Sequence, residues 1–197
     1  MEHLKIENIH ALESGPVCIR NYLNYLCLKD ARVRSLFQKN NKKLKEDLAV
    51  LRETLEIDRW VSPLEFARRI KEYGLLSEMI ITDAKDISKY KSEFPLFACL
   101  VNDDNENVLL YVTDVNQYGI VVKDINYNDM LIDLKEFERL FSKRMIVIKD
   151  YSGFIKKYGS DRMLNALANN KDYNSDVADG LEIVGGIVLT ILDVFLS

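Results

Sequence analysis

The chain has 197 residues, 48% of them hydrophobic and 29% charged, which is enough apolar content to bury one good core and excludes a disordered or collagen-like chain. Its net charge of -4 gives no general attraction to nucleic acid, so no nucleic-acid partner is expected.

In chain order, Leu12-Glu13-Ser14-Gly15-Pro16 reads as a short polar turn that leads into an apolar helix from Pro16 to Leu28. A Gly-Pro pair pre-sets a first helical turn, whose free N-H groups would face the side chain before it, Ser14. Val17, Ile19, Leu23, Leu26 and Cys27 make this the central, mostly buried helix, interrupted by Asn21 and Asn24. Asp30 to Leu55 is charged and leucine-spaced, predicting one or two surface helices with a break near Asn40-Asn41. Ser62-Pro63-Leu64-Glu65 is a capping box opening a helix that Gly74 stops after Tyr73; its inward face would be Phe66, Ala67, Ile70 and Tyr73.

Beyond Gly74 the period becomes extended. Met79-Ile80-Ile81 reads as a short buried strand, Asp83 as the cap of a helix over 84–90, and Leu96 to Val101, Asn107 to Thr113 and Ile120 to Asp124 as an antiparallel meander. Asp133 with Glu136 caps a helix through Phe141, and Met145 to Ile148 is a last strand. Helices followed by an antiparallel sheet predict an α+β domain over 1–152. A helix and polar linker would span 153–180, and an apolar C-terminal helix 181–197.

Cys18, Cys27 and Cys99 are an odd count inside apolar runs, as expected of buried thiols in a reducing, cytoplasmic compartment. The only histidines are His3 and His10 and there is no C-x-x-C, so no metal and no cofactor are expected. Met1-Glu2-His3-Leu4-Lys5 lacks the basic and apolar regions of a signal peptide. The basic run from Lys29 to Lys45 reads as a solvated helix face, with a contact patch as the alternative.

The turn Glu13-Ser14-Gly15-Pro16-Val17-Cys18 with its apolar helix, the helix from Val61-Ser62-Pro63-Leu64-Glu65, and the strands from Pro95 to Val112 resemble, in that order, the C39 peptidase domain. That papain-like cysteine peptidase sits at the N-terminus of bacteriocin-exporting ABC transporters and cuts leader peptides after Gly-Gly. The resemblance covers about residues 8 to 150 and implies a papain-like, C39-type fold with N-terminal helices packed on the sheet. It aligns the catalytic cysteine with Ser14 and the catalytic histidine, heading a strand usually read H-F-V-V-L, with Asn107 of Asn107-Val108-Leu109-Leu110-Tyr111. The orienting aspartate corresponds to Asp124 and the oxyanion-hole glutamine falls near Asn8.

The family's chemistry needs a thiolate paired with an imidazolium, and Ser14 with Asn107 supplies neither. The resemblance then implies a degenerate, non-catalytic module that binds or docks a leader or substrate peptide for maturation or export. Ser14, Gly15, Asn107 and Asp124 would contact the peptide in a groove between the helix beginning at Ser14 and the sheet edge carrying Asn107. An ABC exporter or other membrane protein would be the partner. One alternative is an active peptidase using Cys18 with His10 or His3, against which stands the expected burial of Cys18 on its helix. Another is a membrane-associated accessory or immunity protein acting through the tail, at the inner face of a membrane.

In that tail, Leu181 to Leu196 is short for a membrane span, which takes about 20 residues, and Glu182 and Asp193 interrupt it. On a helical wheel Glu182, Gly186, Asp193 and Ser197 form one stripe and aliphatic residues fill the rest, as for a helix docking on a partner, self-associating, or lying in a membrane surface. It would also suit the start of a transmembrane helix if the chain continues. Asp179, Ile183, Gly185 and Gly186 loosely resemble the end of a double-glycine leader, so Gly185-Gly186 could be a self-ligand; close helix packing is the alternative reading.

Overall fold

Helix α1 (Ala11–Lys29) lies between the sheet on one side and helices α2 (Ala31–Gln38) and α3 (Lys42–Ile57) on the other. The computed structural model describes residues 2–9, 11–38, 42–57 and 62–159. Cys18, Ile19, Leu23, Leu26 and Cys27 of α1 are at most 4% exposed, because the helix is covered on both faces. The leucines of the next segment divide as expected, with Leu36 on α2 and Leu44, Leu48, Leu51 and Leu55 on α3 all buried against α1. Lys29, Arg32, Lys42 and Lys43 of the basic run face solvent.

The helix start differs from expectation. The polar stretch Glu13-Ser14-Gly15 is helical, and Pro16 sits inside α1 as its sixth residue. One i to i−4 bond is lost at Pro16, and buried contacts along α1 hold the helix through it.

Helix α4 (Pro63–Glu72) follows its prediction. Ser62 Oγ accepts from Glu65 N at 3.1 Å, Pro63 opens the helix, and Phe66 and Ile70 are buried while Ala67 and Tyr73 pack partly buried on the same core. The Glu65 carboxylate does not complete the box but pairs with Arg68 and Arg69, which hold its carboxyl down at about 2.

The seven strands are β1 (Glu2–His3), β2 (Leu76–Ile81), β3 (Leu96–Val101), β4 (Asn107–Asn116), β5 (Gly119–Lys123), β6 (Asp129–Ile132) and β7 (Phe141–Asp150), in the order β1-β6-β5-β4-β3-β7-β2. All pairings are antiparallel except β1 with β6. The β3-β4-β5 meander matches the sequence reading. β2 is not buried: at the end of the sheet it pairs with β7 alone, and Ile81 is 76% exposed. The predicted helix after Asp83 is a 3-10 segment, Ala84–Glu93; Asp83 stands at its start, but its side chain makes no cap bond and its carboxylate pairs with Lys143 at 3.0 Å.

Side chains alternate across the sheet. Phe97, Cys99, Leu109 and Tyr111 join the core under α1, whereas Leu96, Ala98, Val108, Leu110 and Val112 join a second core with Phe137 and Leu140 of α5 (Leu134–Leu140). Asp133 caps α5 by accepting from Lys135 N and Glu136 N. Helix α6 (Ser152–Tyr158) buries Phe154, Ile155 and Tyr158 in the α1 core, so it is continuous with the preceding domain. The expected linker to residue 180 and the apolar helix 181–197 lie outside the described residues from 160 on. Among the described residues no helix is long and apolar enough to cross a membrane, and no group of His, Cys, Asp and Glu could hold a metal ion.

Candidate functional site

The first turns of α1 place Ser14 against the sheet. The residue is 4% exposed, and its hydroxyl donates to Ala11 O at 2.7 Å and accepts from Leu109 N at 3.1 Å. The strand residue opposite Ser14 is therefore Leu109, two positions beyond Asn107.

Register explains why Leu109 N is free to meet a side chain. Cys99 of β3 opposes Leu109, but the Cys99 carbonyl accepts from Ser142 Oγ on the β7 side. On its other flank β4 pairs with β5 only from Val112 onward. Residues 107–111 consequently have no strand partner on that flank among the described residues. β4 is the fourth strand of seven, so the expectation that Asn107 lies on a sheet edge is corrected: the opening is a gap inside the sheet, made where β5 turns away after Lys123.

A cavity of about 270 Å³ occupies the gap. Glu13, Ser14, Val17 and Cys18 of α1 form one wall, Leu109, Leu110 and Tyr111 of β4 the floor, and Val122, Lys123, Asp124 and Ile125 the opposite wall. Leu4, Ile9 and Met130 close one end. Ile6 N, between Leu4 and Ile9, donates to Glu136 Oε1 at 2.8 Å, so the glutamate expected to complete the α5 cap ties down the N-terminal segment instead. The lining is apolar with a few polar groups, the usual make-up of a binding pocket.

Ser14 and Asp124 thus share one cavity. Asn107 and Gly15 do not line it: Asn107 pairs with Val101 at the start of β4, and Gly15 faces Leu55 of α3. The backbone of Asn8 ends a short 3-10 turn, Ile6–Asn8, close in sequence to the cavity wall at Ile9. Gly185 and Gly186 lie outside the described residues.

Asp124 shapes the loop. Its carboxylate accepts from Asn126 N and Asn128 N at 2.8 and 2.7 Å and from Asn128 Nδ2 at 3.2 Å, which uses it to fold the β5–β6 turn. Among the described residues that line the cavity none is a histidine. Cys18 touches the cavity but is 1% exposed, and burial, with Cys99 beside it, pushes its thiol well above the usual cysteine range. A thiol held protonated is neither nucleophile nor metal ligand. His3 is exposed on β1, and His10 lies outside the described residues.

Two residues the functional reading passed over hold the far wall. Asn21 Nδ2 donates to Lys123 O and Asp124 O, both at 3.2 Å, and the Arg20 guanidinium donates to Ile125 O. Arg20 is 2% exposed, and burial lowers its pKa against the opposing pull of Asp124. Polar residues inside an otherwise apolar helix were the available signal, since buried polar groups normally reach a partner.

No family model matches the chain, and no curated protein matches it. Among solved structures the chain is similar to the crystal structure of a double glycine motif protease from an AMS/PCAT transporter in complex with the leader peptide. That likeness has 20% sequence identity and a TM-score of 0.36, over 49% of this chain and 69% of that one.

Proposed function

We propose that the chain is a non-catalytic, C39-like peptide-binding module of a peptide maturation or export system, with an ABC exporter or another membrane protein as its larger partner. The observation that carries this reading is the cavity between α1 and the half of β4 that no strand covers on one flank. An extended peptide would find there apolar walls for side chains and a strand flank for main-chain bonds, the combination by which peptides add to sheets. The non-catalytic part of the reading is supported by Ser14, whose hydroxyl is spent on Ala11 O and Leu109 N, and by Asn107, which offers no base. The active-peptidase alternative would need a reactive Cys18, and burial argues against it.

The test is titration of the full chain with a synthetic leader peptide ending in Gly-Gly, followed by calorimetry and by mass spectrometry of the peptide. Saturable binding of an intact peptide, weakened at least tenfold by Val17→Asp in the cavity wall, supports the reading. No saturable binding overturns it, and a peptide cut after Gly-Gly replaces it with the peptidase.

A further inference from the structure

We infer that Ser14 is a built-in competitor for the peptide: its hydroxyl occupies, in the free protein, the main-chain hydrogen-bonding position at Leu109 that an added strand would take. The inference rests on the peptide-binding reading and adds to it the register of the bound segment and the group that regulates access.

In an antiparallel strand, alternate residues send both N-H and C=O to the same flank. Leu109 N points at Ser14, on the flank that β5 leaves open, so the N-H and C=O of Asn107 and Tyr111 share that flank. A peptide entering the gap would be centred on Leu109, its carbonyl accepting from Leu109 N and its N-H donating to Leu109 O. Ser14 Oγ accepts that same proton now, at 3.1 Å.

The exchange asks Ser14 to swing its oxygen to another staggered rotamer, which gives up its 2.7 Å bond to Ala11 O as well as the one from Leu109 N. Leu109 N is different, since it lies under a residue only 5% exposed and is costly to leave unbonded. In the free wild-type protein Ser14 satisfies it; in the complex the peptide does. The wild-type protein therefore gains nothing net from this bond on binding. A protein without the hydroxyl starts with an unsatisfied N-H and gains the whole bond.

The experiment compares wild type and Ser14→Ala, both full chain, with the same Gly-Gly leader peptide. The expected result is affinity about tenfold higher for Ser14→Ala, the size of one buried hydrogen bond recovered, with a lower melting temperature for the free variant. Ser14→Cys, whose sulfur is a weak acceptor, should fall between the two. Should the alanine variant fail to fold, the Leu109 amide of the wild-type protein serves by NMR. Peptide must move its resonance and not leave it at the free position. Equal or weaker binding by Ser14→Ala, or an unmoved Leu109 amide in a saturated complex, overturns the competitor while the peptide-binding reading stands. Failure of both proteins to bind overturns both.

Discussion

Asp30 shows how one side chain joins three elements. It stands at the junction of α1 and α2, 9% exposed, and its carboxylate accepts from Arg32 N at 2.8 Å, from the Arg32 guanidinium at 2.6 Å and from Tyr151 Oη at 3.2 Å. The first of these is an N-cap bond for α2, and the last ties the helices to the chain entering α6. Burial alone would raise this carboxyl, but the bonds and charge of Arg32, with Tyr151, outweigh it and hold the group below its ordinary 3.8. A carboxyl with a lowered folded-state pKa stabilises fully above its unfolded value and loses that stabilisation as pH falls through the folded one. Asp30→Asn should therefore cost about 1–2 kcal/mol at neutral pH. Its stability difference from wild type should shrink as pH falls below about 4. Denaturant melts of both proteins across that range check it; a difference independent of pH would show that the carboxylate charge is not what stabilises the junction. The sequence makes Asp30 visible as a helix-boundary residue, but the contact with Tyr151 spans 121 positions and has no local signature.

At the scale of elements, one close backbone crossing lies where the α4–β2 turn meets α6. Gly74 has φ +84°, and a Cβ there would come within 2.3 Å of Gly153 C and 2.4 Å of Phe154 N. Gly74 O accepts from Phe154 N at 3.0 Å, so backbone meets backbone directly. Gly74→Ala should destabilise by more than about 3 kcal/mol, combining left-handed strain with a clash that no side-chain rotation relieves. Gly153→Ala should cost less, because its Cβ would approach Gly74 O at 2.9 Å without an unfavourable φ of its own. Thermal melts of the two variants give the ranking, and equal effects would rule out the strain at Gly74. The helix stop at Gly74 was legible, since glycine after a periodic run supplies a left-handed cap; the partner it makes room for was not. Legibility failed elsewhere for the same physical reason. β1 is two residues long and pairs in parallel with β6 across the chain, so neither carries a periodicity that identifies it. The start of α1 was misplaced because Gly15-Pro16 carries the local mark of a helix opening, and tertiary packing overrode it. The half-open flank of β4, on which the site depends, follows from where β5 diverges and is invisible in a strand pattern that reads identically along its length.

The whole molecule places its cavity where the sheet's own ladder stops and side chains take over. From Val112 to Asn116 β4 is bonded to β5; past Lys123 the chain is held by Arg20 and Asn21 of α1 through three successive carbonyls. That polar layer is under-satisfied: Arg20 Nε, Asn21 Oδ1 and both side-chain atoms of Asn24 are buried without a hydrogen-bond partner among the described residues. Arg20 and Asn24 lie one turn apart on α1, so these groups line one face of the helix. Burying a guanidinium is expensive, and here the Asp124 charge and the Ile125 carbonyl offset part of that cost, so an apolar residue of similar length removes the cost and its offset together. Arg20→Met should accordingly leave global stability within about 1 kcal/mol of wild type, while freeing the β5–β6 turn at Ile125. Hydrogen exchange resolves the two effects. The amides of Asn126 and Asn128, which Asp124 now holds, should exchange at least tenfold faster, and those of Leu23 and Leu26 in α1 should not change. Slowing across the whole chain with no selective change at the turn would mean that Arg20 is only a stability cost. Selective release would mean that the molecule trades stability for a cavity wall positioned by α1, the same helix whose Ser14 guards the opposite side.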